Sequence, residues 1–452
     1  MYKLYNEPIT KASADIRLPE PRISKLLVFI LGFVSTVYIH FIFGFAKIFV
    51  RGDSLYEAFE NALSDKSRVI IAFRHGNGAE PQLLTWFFLY KLRAYAAKKG
   101  FRFARRPHAL FIYGYEVARW GGWLARFVMP YLGAMPIHHS KIDSKGMARI
   151  YKAITEGPYP VALAPEGQVT YFTDVILRLE NGTVSIGFHS ARELEKNNID
   201  IPVMILPVSV HLRYDSSGIA SMEKLLRKTE KHCGFSRADC KKDSFTERLS
   251  KCREYILLLN EKRYNIQPDT SLSFNDRLSN VVYTALFTAE SGLGIESHPA
   301  AGDEDFFRRL YKVRHICWDR IFIPEFESLK KTSKVLRSIA DLGAGEAWFI
   351  SRHQELADFC RYFIKDIPQE ESALHSKIEY VQNLWDFANR TMGGAISGRK
   401  NIFPKKIIIT AAPAINVSSR LAQYKENKKA AIADCVSVLE SAYYDCINGI
   451  NS

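Results

Sequence analysis

The chain has 452 residues, too many for one small core, so it contains one large domain with additions or two domains. Hydrophobic residues make up 47% and aromatic residues 13%, which argues against a disordered protein, and the formal net charge of +14 favours anionic partners. The seven cysteines contain no C-x-x-C pair, which argues against a disulfide framework or a cysteine zinc site and suits a reducing compartment.

An apolar segment lies near the start of the chain. From Leu26 to Ala46 the sequence carries no formal charge, and this length could span a bilayer as one helix. We therefore predict an N-terminal hydrophobic membrane helix within an attachment segment over residues 1–51. A buried core helix and a surface-lying or re-entrant pair broken near Gly32 or Gly44 are the alternatives, and the scattered thiols favour a catalytic domain that faces the cytoplasm.

The next segments alternate between strand and helix patterns, which is typical of an α/β domain. We predict a buried strand at residues 68–73 (RVIIAF) and a helix over residues 82–97. A strand and turn follow at 160–167, and the β-rich run 201–212 comes after a helical stretch. The α/β domain is predicted to cover residues 52–215.

After this domain the pattern changes to serial amphipathic helices. Two segments, 248–264 and 277–293, begin with Arg-Leu-Ser, and a third copy at 308–322 is weaker. These segments predict an α-helical insert over residues 216–403. Strand character returns at 405–417 and a last helix covers 421–448, so residues 404–452 are predicted to return to the α/β domain.

One histidine and one glutamate stand out between the first strand and its helix, in AFRHGNGAEP. His75 and Glu80 cannot share one face of a regular helix, because positions five apart point about 140° away from each other. They can meet if His75 lies in the loop and Glu80 lies where the helix begins, as Pro81 favours. Such a carboxylate would hold one imidazole nitrogen and leave the other as a base; a solvated turn is the alternative.

Four ordered segments and a matching tail resemble the glycerolipid acyltransferases, typified by 1-acylglycerol-3-phosphate acyltransferase. They are RHGNGAEP, WLARFVMPYLGAMPIHHS, ALAPEGQVTY, IPVMILPVSV and, near the end of the chain, IIITAAPAINV. Long bacterial members with a helical insert look most similar. The resemblance implies an α/β fold in which a mixed sheet flanked by helices is split by the large α-helical insert.

The same resemblance implies an acyl transfer without an acyl-enzyme. His75 would take a proton from the acceptor hydroxyl, and Glu80 would orient the imidazole. Glu166 and Gly167, in the third block, would help to shape the acceptor site. The co-substrate would be acyl-CoA or acyl-carrier protein, the acceptor a lysolipid in contact with membrane lipid, and no cofactor or metal is implied.

Three positions depart from the pattern of this family. Glu80 stands where Asp is usual, His139 where Arg is common, and Val169 where the third block has Arg. Those arginines are the expected phosphate clamp, and neither imidazole nor valine replaces a bidentate guanidinium well. The basic segment 98–108, including Arg105 and Arg106, could supply the charge, or it could be a solvated face near anionic headgroups.

Other patterns in the chain favour other functions weakly. The glycine-rich segment 339–349 lies outside a βαβ unit, so a helix–helix turn is expected there rather than a cofactor site. His138 and His139 are adjacent and have no suitably spaced partner for a metal ion. The basic residues are dispersed and form no nucleic-acid recognition motif.

These observations predict an acyltransferase of phospholipid biosynthesis that acts on lysophosphatidate or a related lysolipid. An acyltransferase for a lipid acceptor without phosphate is the first alternative, motivated by His139 and Val169. A catalytically inactive lipid-binding or scaffold relic is the second, motivated by Glu80.

Overall fold

The computed structural model describes residues 8–16, 18–138, 143–299, 301–323, 333–363, 366–394, 399–403 and 405–450. Within these ranges the chain has two parts. One is an α/β domain built on a single large sheet, and the other is a group of long helices with its own apolar core. The expectation of a mixed α/β fold is confirmed.

Ten strands lie in the described ranges, and eight of them form the main sheet. In chain order they are β1 (Ser13–Ala14), β2 (Phe45–Arg51), β3 (Arg68–Phe73), β4 (Leu110–Gly114), β5 (Met135–Ile137), β6 (Val161–Leu163), β7 (Val203–Arg213), β8 (Phe322–Ile323), β9 (Lys405–Ala411) and β10 (Ile415–Asn416). The main sheet has the order β2-β9-β7-β3-β6-β4-β5, with β10 paired to β7, while β1 pairs with β8. From β7 to β5 neighbouring strands are parallel, whereas β9 is antiparallel to β7.

The sheet is covered on both faces, as its parallel strands require. Alternate residues of β3 enter different cores: Ile71 packs with one group of helices and Ile70 with the other. The first group is α2 (Ser54–Leu63), α3 (Glu80–Tyr90) and α4 (Leu92–Ala97). The second includes α7 (Ser144–Thr155), α8 (Gly182–Lys196), α15 (Leu421–Glu426) and α16 (Lys428–Asn448). The short α5 (Tyr115–Trp120) and α6 (Gly122–Tyr131) follow β4.

The described part of the insert consists of helices joined by loops, with one short strand, β8. Its helices are α9 (Ser217–His232), α10 (Phe245–Arg263), α11 (Phe274–Gly292), α12 (Asp303–Ile321), α13 (Lys334–Tyr362) and α14 (Leu374–Thr391). A capping box between Ser244 and Glu247 begins α10, which satisfies two backbone donors of its first turn. The glycine-rich segment 339–349 lies inside α13, so the expected helix–helix turn is wrong.

The predicted N-terminal membrane helix is also wrong. The apolar run forms α1 (Lys25–Val37), a π-helical turn at Tyr38–Ile42 and then strand β2. Thirteen helical residues rise about 20 Å, well short of a hydrocarbon core of about 30 Å. Among the described residues, no helix is both long enough and apolar enough to cross a bilayer.

The break in this run has a local cause and a distant one. Gly44 has a φ of +68°, a conformation that favours glycine and turns the chain out of the helix. The residues after it pair in parallel with β9, and Lys405 N donates to Gly44 O at 2.8 Å. Part of the segment predicted as a membrane attachment therefore forms an edge strand of the sheet.

Candidate active site

The candidate site lies at the carboxyl ends of β3, β6, β4 and β5. Because these strands are parallel, the residues that follow them meet at one edge of the sheet, where open α/β folds place their ligands. His75 follows β3, the turn with Glu166 follows β6, and His138 follows β5. The topology of the sheet thus brings residues of the first, second and third blocks of the sequence pattern to one edge.

The structure brings His75 and Glu80 into direct contact. His75 lies in the loop after β3, and Glu80 is the first residue of α3, with Pro81 behind it. The distance from His75 Nδ1 to Glu80 Oε2 is 3.0 Å, and the same oxygen accepts from Gly78 N at 2.8 Å. The carboxylate favours the tautomer with hydrogen on Nδ1, which leaves Nε2 with a lone pair.

The two side chains differ in burial. Glu80 is 1% exposed, whereas the His75 side chain remains 17% exposed. Glu80 Oε1 is buried and has no hydrogen-bond partner among the described residues. The imidazole is therefore open to a small ligand, while the carboxylate that orients it is shielded from water.

Arg74 is a buried residue of the site that the sequence analysis did not identify. It is 1% exposed, and its Nε and Nη2 donate to Glu166 Oε1 at 3.2 and 3.0 Å. The other oxygen, Glu166 Oε2, accepts from the backbone N of His75 at 2.5 Å. Both oxygens of Glu166 are thus engaged in holding residues 74–75, so this carboxylate shapes the site through the position of His75.

The loop between β6 and α8, residues 164–181, encloses Arg74 and is here called the third-block loop. The guanidinium donates to the carbonyl oxygens of Phe172, Thr173 and Val175. Gly76 lies against this loop so closely that a Cβ atom there would stand 2.7 Å from Phe172 O. Any larger residue at Gly76 would push the His75 loop away from the third-block loop.

Gly167 lies in the tight turn of the third-block loop. Its φ is +73°, and its N donates to Ala164 O at 3.2 Å. A Cβ atom at Gly167 would stand 2.6 Å from the carboxyl carbon of Glu180. Gly167 is required for the turn that carries Glu166, which is a structural reason for its place in the pattern.

Helices of the insert hold the third-block loop from outside. Three helices of the insert make hydrogen bonds to this loop. On α12, Tyr311 bonds to Glu180 at 2.8 Å, and on α13, Asp358 bonds to Gln168 at 2.8 Å. On α14, Asn383 bonds to Tyr171 O at 3.3 Å and Glu379 to Thr173 Oγ1 at 2.6 Å. The loop has no helix or strand of its own in residues 164–181. The insert therefore stabilises the loop that fixes Arg74, Glu166 and His75.

Two residues around this loop are under unusual constraint. Tyr171 has a φ of +59°, which is rare for a bulky residue, and the Arg399 guanidinium lies 4.2 Å from its ring centre. Burial raises the pKa of Glu379 to about 7, although Thr173 donates to this carboxylate and partly offsets the effect. Neither feature has a local sequence signal, because each depends on contacts between distant segments.

Lys405 is a further buried cation near the site. It begins β9, is fully buried, and its Nζ donates to Asn401 Oδ1 at 3.2 Å. Burial and the charge of Arg399 lower the pKa of Lys405 to about 7, while Glu80 opposes the shift. The charges of Lys405 and Glu80 therefore interact, and the sequence pattern did not indicate this interaction.

Arg105 and Arg106 lie at the opposite edge of the sheet. They precede β4, and Arg105 pairs at 2.6 Å with Asp65, which itself precedes β3. Arg106 Nε donates to Leu89 O near the end of α3, the helix that begins at Glu80. The length of β3 or α3, on the order of 15–20 Å, separates both guanidinium groups from His75.

The second block reaches the candidate site through His138. This residue stacks on Tyr115 with ring centres 4.3 Å apart, and its N donates to Asp143 Oδ2 at 3.2 Å. His139, the predicted substrate-binding residue, lies outside the described residues. Within the described ranges no group of three or more His, Cys, Asp and Glu side chains could hold a metal ion.

Comparisons with known proteins identified no relative of this chain. No protein-family model matches the chain, and no curated protein or solved structure matches it significantly.

Proposed function

We propose that this protein transfers a fatty acyl group from acyl-CoA or acyl-carrier protein to the free hydroxyl of a lysophosphatidate or related lysolipid. The observation that carries the proposal is the His75–Glu80 hydrogen bond, which leaves Nε2 of a partly exposed imidazole at the carboxyl edge of the sheet. A phospholipid-forming step of this kind uses the thioester as a co-substrate and needs no cofactor.

The proposed reaction is a single displacement at the thioester carbonyl. His75 Nε2 takes the proton of the acceptor hydroxyl as its oxygen attacks the carbonyl carbon, and Glu80 stabilises the imidazolium. The tetrahedral intermediate collapses with cleavage of the C–S bond, and the CoA thiolate leaves. The imidazolium then returns its proton to solvent or to the thiolate, which regenerates the base. A thiolate needs little general-acid assistance, because the pKa of a thiol is already low.

The acceptor without phosphate is the second candidate, and Val169 favours it. The valine side chain lies beside the His75 loop, since a Cβ atom at Gly78 would be 3.7 Å from Val169 Cγ1. An apolar side chain at this place offers no contact to a phosphate. The inactive relic is less well supported, because Glu80 reaches His75 despite its extra methylene.

Contact with membrane lipid is part of the proposal, and α1 supports it. One side of this helix packs on α3, where Trp86 Nε1 donates to Thr36 Oγ1 at 3.1 Å. The apolar side chains of Leu26, Phe29 and Phe33 are 63–69% exposed on it. A peripheral helix with such side chains could bring the site to a lipid surface, on the cytoplasmic side that the thiols favour.

The test of the proposal is the product formed from labelled oleoyl-CoA with a panel of acceptors. Purified protein is given lysophosphatidate, lysophosphatidylethanolamine or monoacylglycerol, and the lipids are separated by thin-layer chromatography. We expect labelled phosphatidate as the main product. Preferential labelling of monoacylglycerol would favour the second candidate, and no labelled lipid with either CoA or carrier-protein donors would contradict the enzyme assignment.

A further inference from the structure

One guanidinium from the insert stands beside the third-block loop with unused hydrogen-bonding capacity. Arg314, on α12, donates from Nη2 to Asp358 Oδ2, and Asp358 Oδ1 accepts from Gln168 at 2.8 Å. Gln168 immediately follows Gly167 in the tight turn. The insert thus places a positive group next to the turn that carries Glu166.

The remaining donors of Arg314 are available. Its side chain is 21% exposed, and neither Nε nor Nη1 makes a hydrogen bond to any residue in the described part of the chain. These atoms are also not among the buried polar atoms that lack a partner, so they are open to a ligand or to water. Because Asp358 holds one end of the guanidinium, its planar fork is oriented in advance.

The position of Arg314 in the fold is compatible with contact to a ligand that also contacts His75. Its charge interacts with Asp358 beside the turn after β6, with Glu116, which follows β4, and with Glu355 on α13. In the sheet, β6 lies between β4 and β3, the strand that bears His75. Arg314 therefore interacts with residues that follow the two strands next to β3 in the sheet order. In a lysophosphatidate the free hydroxyl and the phosphate are on neighbouring carbons of glycerol.

We propose that Arg314, oriented by Asp358, binds a substrate phosphate and so sets the specificity of the acyl transfer. This inference rests on the proposed function and deepens it, since it assigns a phosphate-recognition residue to the insert. The phosphate could belong to the acceptor lipid or to the CoA part of the donor. Bidentate guanidinium contacts are well suited to either.

The test uses substrates with and without each phosphate. Acceptors are lysophosphatidate and monoacylglycerol, and donors are oleoyl-CoA and oleoyl-N-acetylcysteamine, which keeps the thioester but has no phosphate. In Arg314→Gln we expect kcat/KM to fall about 10- to 100-fold for the phosphate-bearing member of one pair and to change less than about threefold for the other. The affected pair identifies the source of the phosphate.

Two matched variants separate binding from folding. Arg308→Gln removes an arginine that is 72% exposed on the same helix, and we expect its specificity to equal that of wild type. The double variant Arg314→Gln/Asp358→Asn removes both charges of the pair. If Arg314 only neutralised Asp358, the double variant would recover wild-type kcat/KM for phosphate-bearing substrates; we expect it to remain defective.

A binding readout keeps the inference separate from the proposed function. Calorimetric titration with lysophosphatidate, monoacylglycerol and CoA requires no turnover. We expect Arg314→Gln to weaken binding of one phosphate-bearing ligand about 10- to 100-fold relative to wild type and Arg308→Gln. Equal losses for ligands with and without phosphate, or no loss for any of them, would overturn the assignment. Wild type that binds these ligands selectively but transfers no acyl group would contradict the proposed function alone.

Discussion

Each end of the parallel strands has an arginine–carboxylate ion pair, but the two pairs differ in burial and in what they hold. At the carboxyl edge Arg74 and Glu166 are 1% and 0% exposed in their side chains, and they hold the backbone of His75. At the amino edge Arg105 and Asp65 are 34% and 46% exposed, and Asp65 also pairs with Arg68, the first residue of β3, at 3.1 Å. Breaking a buried pair leaves an uncompensated charge, whereas an exposed pair is screened by water. Burial, and not charge, distinguishes the site from the surface.

The largest expected effect is the loss of activity in variants of Glu80, the proposed partner of the base His75. Glu80→Gln removes the charge that stabilises the imidazolium, and we expect kcat to fall about 10²- to 10⁴-fold. Glu80→Asp is one methylene shorter and cannot keep both of its contacts, to His75 Nδ1 and Gly78 N, so we expect about a tenfold loss. Steady-state acyl-transfer assays measure both. Higher activity in Glu80→Asp than in wild type would show that the pair is detuned instead.

The second effect is on stability. Arg74→Met leaves Glu166 buried without its partner, and we expect the free energy of unfolding to fall by about 3–5 kcal/mol in urea denaturation. The double variant Arg74→Met/Glu166→Gln removes both charges and is expected to lose less than the sum of the single variants. Strict additivity would mean that the two side chains do not act as a pair.

The pH dependence of stability tests the contact that Glu379, on α14 of the insert, makes with the third-block loop. The pKa of Glu379 is about 7 in the folded protein and about 4.3 in an unfolded chain. Between these values the folded state binds the extra proton, so the contribution of Glu379 to stability is present at low pH and is lost as the pH rises through 7. Glu379→Gln removes this titration.

We therefore expect Glu379→Gln to gain about 1–3 kcal/mol relative to wild type when the pH is raised from 5 to 8, measured by denaturation at each pH. Glu371→Gln, at an exposed position near the start of α14, is the control and should show no such change. A difference between wild type and Glu379→Gln that does not vary with pH would contradict the buried titration.

The sequence predicted the elements whose signals are local. The strand at 68–73 agrees with β3 because a continuous β-branched run is typical of a strand buried on both faces. The meeting of His75 and Glu80 was also predictable, since Pro81 and two glycines fix how a strand, a loop and a helix follow one another.

Features that depend on distant segments were not predictable. The apolar run 26–46 becomes a strand after Gly44 because β9, some 360 residues later, pairs with it. Arg74 finds its partners about 92–101 residues away in the third-block loop. Arg105 and Arg106 are near the His75 motif in sequence but lie at the opposite edge of the sheet from His75. The chain returns along the length of the sheet before it begins the next parallel strand.

The smallest expected effect is at the exposed edge. Arg105→Gln breaks the pair with Asp65, and we expect less than about 1 kcal/mol of destabilisation and unchanged kcat/KM. Denaturation and acyl-transfer assays on one preparation measure both. A loss of more than about tenfold in kcat/KM would place Arg105 in substrate binding, as the sequence alone suggested, and would weaken the contrast between the two edges.

The most direct test of the central claim compares wild type with His75→Ala, using labelled oleoyl-CoA and lysophosphatidate. His315→Ala, on α12 of the insert, is the matched control. We predict labelled phosphatidate from wild type and the control and a loss of about 10²- to 10⁴-fold in His75→Ala, with all three proteins folded by circular dichroism. Phosphatidate formed by His75→Ala at the wild-type rate would contradict the assignment of His75 as the base.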